Sequence, residues 1–411
     1  MIKEDYLASV DIRSTGFTLA VTKAEDSNNP WNHKLLFIHQ IKSAGIKRGL
    51  ISSVDEVSED FKNVILEAEK HIGFKIKRIH VSLSNLNVSG THAAGVSAIK
   101  SQHINKNDIE KCFEASTHAI HNADHKVLHN IPVEFIVDNQ REISDPSGMD
   151  GNRLEVKSFL VHCSNSIINN FDKVFKKAGI QKMSYLSQIY ARSESILNSE
   201  QKELGSCVVD IGELFTQIIV YIGGKIQLLV NIPIGGGHIT QDLAIGLRTT
   251  TDEAENIKKN YEKHVLAANR NEKIVVANIN NNESHHVETT LIQQIIESRM
   301  EEIFSITKRK LIQSRCLEKL GGGFILCGSA SKLYSIQALA EFILEAPITQ
   351  PDKDLPFVLF DEEFSKEENL NCLSINNLIL QRMSKQHGNI HKTSKKIWGN
   401  NKVSLWIEKF F

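Results

Sequence analysis

The sequence predicts an α/β protein built from two related domains, the first carrying a small α+β insert, and three observations lead there. An apolar strand ending in Asp-Ile, a polar turn and a returning strand occur at residues 6–21 and again at 206–221. Recurrence of one supersecondary unit at long separation argues for two related halves around a cleft. Strands alternate with amphipathic helices through the chain, the pattern of an α/β fold. The 411 residues suffice for more than one core, and 41% hydrophobic with 24% charged residues is a folded, globular composition.

The first hairpin is read from the apolar run beginning at Tyr6, the turn Asp11-Ile12-Arg13-Ser14-Thr15-Gly16, and the alternation Phe17, Leu19, Val21. A strand at 35–41 follows. At 54–72, Val57, Phe61, Val64, Ile65, Ala68 and Ile72 recur at steps of three and four, which predicts an amphipathic helix, and 78–83 reads as a buried strand. Residues 85–163 have their own pattern: strands at 87–96, 127–135 and 154–163, a helix at 107–120, and a turn at Asp145-Pro146-Ser147-Gly148. A helix at 166–177 and the segment 184–197 return to the first domain. The second hairpin opens with Cys207-Val208-Val209-Asp210-Ile211-Gly212, returns at 217–221 and continues into a strand at 226–232. Beyond it come a helix at 252–263, a polar loop at 269–286, a helix at 287–317, a glycine-rich strand start at Gly321, and Gly328-Ser329-Ala330 leading into a helix at 334–344.

Lys and Arg number 48 against 49 Asp and Glu, so no global basic field draws the chain to nucleic acid, and any membrane contact must come from a local patch. Six scattered cysteines without a C-x-x-C pair read as reduced, buried thiols. The opening Met1-Ile2-Lys3-Glu4-Asp5 lacks the basic and apolar regions of a signal peptide, and no run of 18 apolar residues occurs, so the chain is expected to be neither secreted nor membrane-spanning. Neither G-x-S-x-G nor a Cys/His nucleophile signature is present. His118, His121, His125 and His129 suggest a metal set by spacing alone, but Asn122-Ala123-Asp124 should end the helix between them, and solvated or core-satisfied histidines are the expectation there and at His285-His286.

Two Asp-bearing hairpins with a late strand, Gly turn and helix resemble the arrangement of actin-type ATPases, in which both turns clasp phosphates through backbone N–H groups with each Asp near a metal. The resemblance narrows to the FtsA family in stretches that carry no phosphate chemistry. These are Asp124-His125-Lys126-Val127-Leu128-His129-Asn130-Ile131-Pro132-Val133-Glu134-Phe135, Ile232-Pro233-Ile234-Gly235-Gly236-Gly237-His238-Ile239-Thr240-Gln241-Asp242, and Ile295-Ile296-Glu297-Ser298-Arg299-Met300-Glu301-Glu302. It covers nearly the whole chain. It implies an actin-like (ribonuclease H-like) two-domain ATPase fold with an FtsA-type α+β insert. The first domain (1A) would hold 1–84, 164–197 and 351–384, with the insert (1C) at 85–163. The second (2A) would hold 198–235 and 305–350, with a subdomain (2B) at 236–304, then a basic linker at 385–396 and an amphipathic membrane helix at 397–411.

The resemblance also implies a site for ATP and Mg2+. Asp11, Arg13, Ser14 and Thr15 would lie on one phosphate turn, Asp210, Gly212, Gly235 and Gly236 on the other, and Glu255, Lys258, Gly328 and Ser329 around the adenosine, with Asp11 and Asp210 nearest the metal. The turns depart from the family. Arg13 stands where glycine is usual, and Asp210-Ile211-Gly212-Glu213-Leu214-Phe215-Thr216 replaces the usual Asp-Ile-Gly-Gly-Gly-Thr. A side chain at such positions either opposes positive φ or fills phosphate volume, and Glu213 adds like charge.

At the C-terminus a helix from Val403 would set Val403, Trp406, Ile407, Phe410 and Phe411 on one arc of about 140°, with Trp398 upstream. That is too short to span a bilayer and suited to lying in its interface. Arg382, Lys385, Lys392, Lys395, Lys396 and Lys402 precede it with no intervening acid, each contributing on the order of 1 kcal/mol near anionic lipid. The leading expectation is therefore an FtsA-like, filament-forming adaptor, at most a weak ATPase, on the cytoplasmic face of the bacterial inner membrane at the division site. It would take the C-terminal tail of the tubulin-like FtsZ at Arg299 and Glu302, meet other division proteins through the insert, and bind no nucleic acid. The alternatives are a sugar-kinase-type or chaperone-type ATPase and a PilM-like pilus-assembly protein.

Overall fold

The computed structural model describes residues 6–26, 29–101, 103–120, 124–268, 273–278, 284–349, 351, 358–360 and 367–393. It divides into two compact units, Met1–Ile196 with Lys353–Phe411, and Leu197–Asp352. Along the chain, β1 (Tyr6–Arg13), β2 (Gly16–Asp26) and β3 (Asn29–Lys42) form an antiparallel meander, and the short β4 (Ile46–Lys47) and β5 (Leu50–Ile51) lead into α1 (Val54–Ile72). The ends of α1 are written in the sequence. Ser53 accepts the Glu56 N–H, Asp55 and Glu56 occupy the first turn, and Gly73, at φ 82°, donates to the Glu69 carbonyl. Its buried face carries Val57, Phe61, Val64, Ile65 and Ala68.

After β6 (Arg78–Leu83) come the insert elements β7 (Ser89–Ala98), α2 (Lys106–Thr117), β8 (His125–Val137), β9 (Gln140–Ile143) and β10 (Arg153–Ser164), then α3 (Asn165–Lys177), β11 (Lys182–Ser187) and α4 (Gln188–Ile196). The second unit holds α5 (Ser199–Leu204), β12 (Ser206–Ile211), β13 (Thr216–Ile222), β14 (Lys225–Ile232), α6 (Gly236–Gly246), α7 (Thr251–Lys259), α8 (Tyr261–Ala268), β15 (Lys273–Ala277), β16 (Ser284–Glu288), α9 (Thr289–Gln313), β17 (Phe324–Cys327), α10 (Ile336–Leu344) and β18 (Ile348–Thr349). The chain returns to the first unit with β19 (Val358–Leu359) and α11 (Glu367–Thr393).

The two main sheets run β11-β6-β1-β2-β3-β19 and β14-β13-β12-β17-β18. Read from the meander inward they have one order: third, second and first strands antiparallel, then two strands parallel to the first. The duplication expected from the two hairpins is thus a duplication of topology. The insert is a separate sheet, β7-β10-β8-β9, with α2 packed on β7 and β10 over a core of Ile104, Cys112, Phe113, Phe135, Val137, Leu154 and Val156.

Four local expectations are corrected. The helix expected at 252–263 breaks at Asn260, whose N–H turns back to the Asn256 and Ile257 carbonyls. The polar loop expected at 269–286 contains the β15–β16 hairpin, whose alternation buries only Val276 and Val287. The helix expected at 287–317 starts at Thr289 and ends at Gln313. The linker expected at 385–396 is helical as far as Thr393. In α11 seven consecutive residues, 372–378, are buried, because the helix meets β1, β2 and β3 on one side and α4 on another.

Candidate functional site

In the first unit Asp11 is buried at the end of β1, opposite Thr18 of β2 and Ser82 of β6, and the Ser82 hydroxyl donates to its Oδ1. The turn beyond it has two residues, Ser14 and Thr15. Their carbonyls accept the Gly49 and Ser43 N–H groups at 3.1 and 3.0 Å. Arg13 pairs with Gly16 in the strand and does not adopt positive φ. The strain expected of a side chain there is absent, and what Arg13 changes is volume and charge. Gly16 is the constrained position, since a Cβ would come 2.0 Å from the Ile41 carbonyl oxygen. Cys372 of α11 packs beside this strand, where burial and the Asp11 carboxylate push its thiol up to about 12.

In the second unit the remaining residues expected at a nucleotide are neighbours in pairs: Gly328 with Asp210, Gly235 with Gly212, and Lys258 with Gly236. Asp210 is buried opposite Gln217 of β13 and Cys327 of β17. Gly328, at φ 90°, lies so close that a Cβ there would meet Asp210 Oδ1 and the Ile211 carbonyl oxygen, each at 2.5 Å. The turn after Asp210 is closed by its own hydrogen bonds: Gly212 N–H to the Phe215 carbonyl at 3.1 Å, Gly236 N–H to Gly212 at 2.8 Å, and Gly237 N–H to Glu213 at 2.6 Å. Gly235 has no room for a side chain, with the Gly212 and Glu213 carbonyl oxygens and the Phe215 nitrogen within 2.5–2.8 Å of its Cβ position. A Cβ on Gly236 would touch Ala330, beside the exposed Ser329.

The pair expected at an adenosine, Glu255 and Lys258, is organised by a residue that spacing alone did not single out. Lys258 Nζ lies 2.5 Å from Glu255 Oε2 and donates to Thr240 Oγ1 at 2.7 Å and to the Gly236 carbonyl at 3.1 Å, while Thr240 donates to Glu255 at 2.6 Å. Burial pushes the Glu255 carboxyl upward, but the Lys258 and Thr240 hydrogen bonds and the Lys258 and Lys259 charges outweigh it and hold the group below its usual value. A preset Glu–Lys pair beside the first residue of α6 suits a sugar and base edge. At the phosphate end the N–H groups of Gly212, Gly236 and Gly237 are already donated, which leaves those of Glu213, Leu214 and Phe215 to meet a ligand.

Arg299 and Glu302 lie on α9. The guanidinium of Arg299 forks onto Asp242 of α6 at 2.7 and 3.0 Å and also contacts Glu302. These side chains, with Gln294, Ile295 and Ser298, line an open depression of about 380 Å³, and Ile245, 78% exposed, projects from α6 one turn past Asp242. The basic residue is therefore held by two carboxylates. Asp242 was invisible to spacing, standing 57 residues from Arg299.

Among the described residues the histidines do not converge. His118 follows the last residue of α2, His125 faces His162 with their Nδ1 atoms 2.9 Å apart, and His129 accepts the Ser187 N–H at 2.9 Å. His121 and the residues expected to form a membrane helix, Trp398, Val403, Trp406, Ile407, Phe410 and Phe411, lie outside the described residues.

A family model described as cell division protein FtsA matches residues 207–370, and a second, the SHS2 domain inserted in FtsA, matches residues 86–162. The chain is 30% identical over 307 residues to the cell division protein FtsA of Pseudomonas aeruginosa, covering 74% of each. It is 30% identical over 349 residues to that of Bacillus subtilis, covering 84% of this chain and 78% of the relative, and 29% identical to that of Borreliella burgdorferi, covering 90% of each. Among solved structures, the PilM-PilN type IV pilus biogenesis complex aligns with a TM-score of 0.61 at 15% identity, over 90% of this chain and 97% of the other. An MreB protein of Spiroplasma citri bound to ADP aligns at 0.51 and 12% identity, over 94% and 99%. Similarity at those identities shows the actin-like fold alone, so PilM is a neighbour in architecture. With the insert, the duplicated sheets and relatives of this similarity over most of its length, the chain belongs to the FtsA family of cell division proteins.

Proposed function

We propose that the chain is a peripheral membrane adaptor that self-associates into filaments, takes the C-terminal tail of FtsZ at the Arg299 surface and tethers FtsZ polymers to the cytoplasmic face of the inner membrane. The observation that carries the reading is family membership combined with the α6–α9 depression, which a fixed guanidinium and Ile295 line together, a mixed charged and apolar surface suited to a short amphipathic peptide. An adenine nucleotide with Mg2+ in the actin-type position would set polymer state rather than be turned over. The insert is the surface for further division proteins.

Arg299→Glu should weaken capture of an FtsZ tail peptide by roughly tenfold, on the order of a charge reversal at a complementary contact. Asp242→Asn loosens the fork without reversing the charge and should cost less. Equal binding of wild type and Arg299→Glu would contradict the assignment.

Among the described residues no helix is long and apolar enough to cross a membrane, so attachment rests on residues 397–411 and the basic stretch before them. Deleting 397–411 should abolish sedimentation with anionic vesicles, since basic residues alone lose their apolar partner. Intact binding by the truncated chain would refute an interfacial anchor.

A further inference from the structure

We infer that His125 and His162 form a proton-operated latch at the root of the insert, closed while the pair carries at most one added proton and opened by a second. Their ring centroids are 5.0 Å apart, and the rings meet through the same atom, Nδ1 facing Nδ1 at 2.9 Å. Only one hydrogen fits between two such nitrogens, so one ring donates and the other accepts. A first added proton settles on Nε2 of the donating ring and leaves the bond intact. A second has only the accepting Nδ1 to occupy, which sets two N–H groups and two positive charges against each other.

Among the described residues nothing offsets that second charge. From β7, Ser89 and Thr91 reach His162 through hydroxyls at 3.0–3.5 Å. Lys126, next along β8, turns to the other side of the strand, where its Nζ lies over the Tyr185 ring of β11, and the Tyr185 hydroxyl donates to Asp172 of α3. His118, exposed at the end of α2, bonds to neither ring. Neither ring is bonded to a carboxylate, and the charge that acts on His162 is that of His125.

The pair ties the two strands together where the chain enters and leaves the insert. His125 opens β8 and pairs with Ser164, the last residue of β10, and the Asn165 N–H at the start of α3 donates to the Asp124 carbonyl at 2.6 Å. His162 is 8% exposed, so a charged ring there stays desolvated until the end of the ladder lifts to admit water. Burial and the His125 charge hold His162 below the ordinary histidine value. The open form therefore takes the second proton first, and the latch is shut above about pH 6.5 and weakens as the pH falls below it.

Amide hydrogen exchange and imidazole NMR titration of the full chain test this, in a His129→Gln background that silences the other buried histidine of β8. The two rings should titrate as a coupled pair in two steps. Exchange at 125–127 and 162–164, corrected for the intrinsic rate, should quicken by about tenfold per pH unit below the second step, as for an opening linked to one proton. In His125→Gln the amide keeps a bond to His162 without adding charge. Exchange there should respond less to pH, and His162 should titrate in one step at higher pH than in the parent. His162→Gln is the reciprocal variant and should remove the response. An equal pH response of exchange in the parent and either variant, or an unmoved His162 titration in His125→Gln, would overturn the latch.

Discussion

Gly328→Ala is expected to destabilise the second unit by about 2–6 kcal/mol and to abolish nucleotide binding. Two costs combine. At φ 90° and ψ 165° the backbone lies in a region that only glycine occupies readily, worth about 1–3 kcal/mol for any side chain. The added methyl would also sit 2.5 Å from Asp210 Oδ1 and from the Ile211 carbonyl oxygen. Ile211 ends β12, whose parallel register with β17 pairs Asp210 with Cys327, so relief requires moving a central strand. That overpacking adds about 1–3 kcal/mol. Since the chain has two units, one global transition is not a safe readout. Hydrogen exchange in β12 and β17 is the direct measurement: protection should fall there while β1 and β6 keep theirs. Unchanged protection in β12 would contradict the argument.

The first unit should lose stability as the medium is acidified below about pH 6.5, with His129 the main cause. This side chain is 1% exposed, its Nε2 accepts the Ser187 N–H and its ring meets Tyr190 edge-on at 4.8 Å. Burial, reinforced by the Arg382 charge, holds it well below the ordinary histidine value. The folded pKa is depressed, so the unfolded chain binds the proton first. Stability is full above the unfolded value of 6.5 and falls by about 1.4 kcal/mol per pH unit below it, until the folded histidine itself titrates. His80, held by burial at about 4, acts in the same direction.

Protonated His129 would turn a donor toward the Ser187 N–H, breaking a bond between β8 of the insert and the junction of β11 and α4. Acid should therefore loosen the insert from its parent domain first. Urea titrations at pH 7 and pH 5 should differ less in His129→Gln than in wild type, because the amide can accept the same N–H without titrating. Identical pH dependence in the two proteins would remove His129 from the account.

How much of this was legible in the sequence follows the range of each interaction. The positions of the hairpins, α1 and β6 are set by local periodicity, and they stand close to where the sequence puts them, although β1 runs on to Arg13 and leaves only Ser14 and Thr15 of a turn expected at 11–16. The β15–β16 hairpin was hidden because two buried valines do not make an alternating pattern among so many polar neighbours. The break at Asn260 was hidden because the apolar period runs through it, with Ile257 and Tyr261 both buried. At the site, motif positions named the residues but not their partners. Thr240 with Glu255 and Lys258, and Asp242 with Arg299, meet only through helix packing. The effect of the altered glycines was legible only in part. Glu213 does bring charge to the second turn, whereas Arg13 sits unstrained because the hairpin pairs it with Gly16 and leaves the turn to Ser14 and Thr15.

The most direct test of the adaptor reading is sedimentation of FtsZ polymers with anionic vesicles in the presence of this chain. FtsZ should pellet with the vesicles when the full chain is present, and remain in the supernatant when residues 397–411 are deleted or Arg299 is replaced by glutamate. If the full chain reaches the vesicles and FtsZ stays behind in every case, the protein is not the tether proposed.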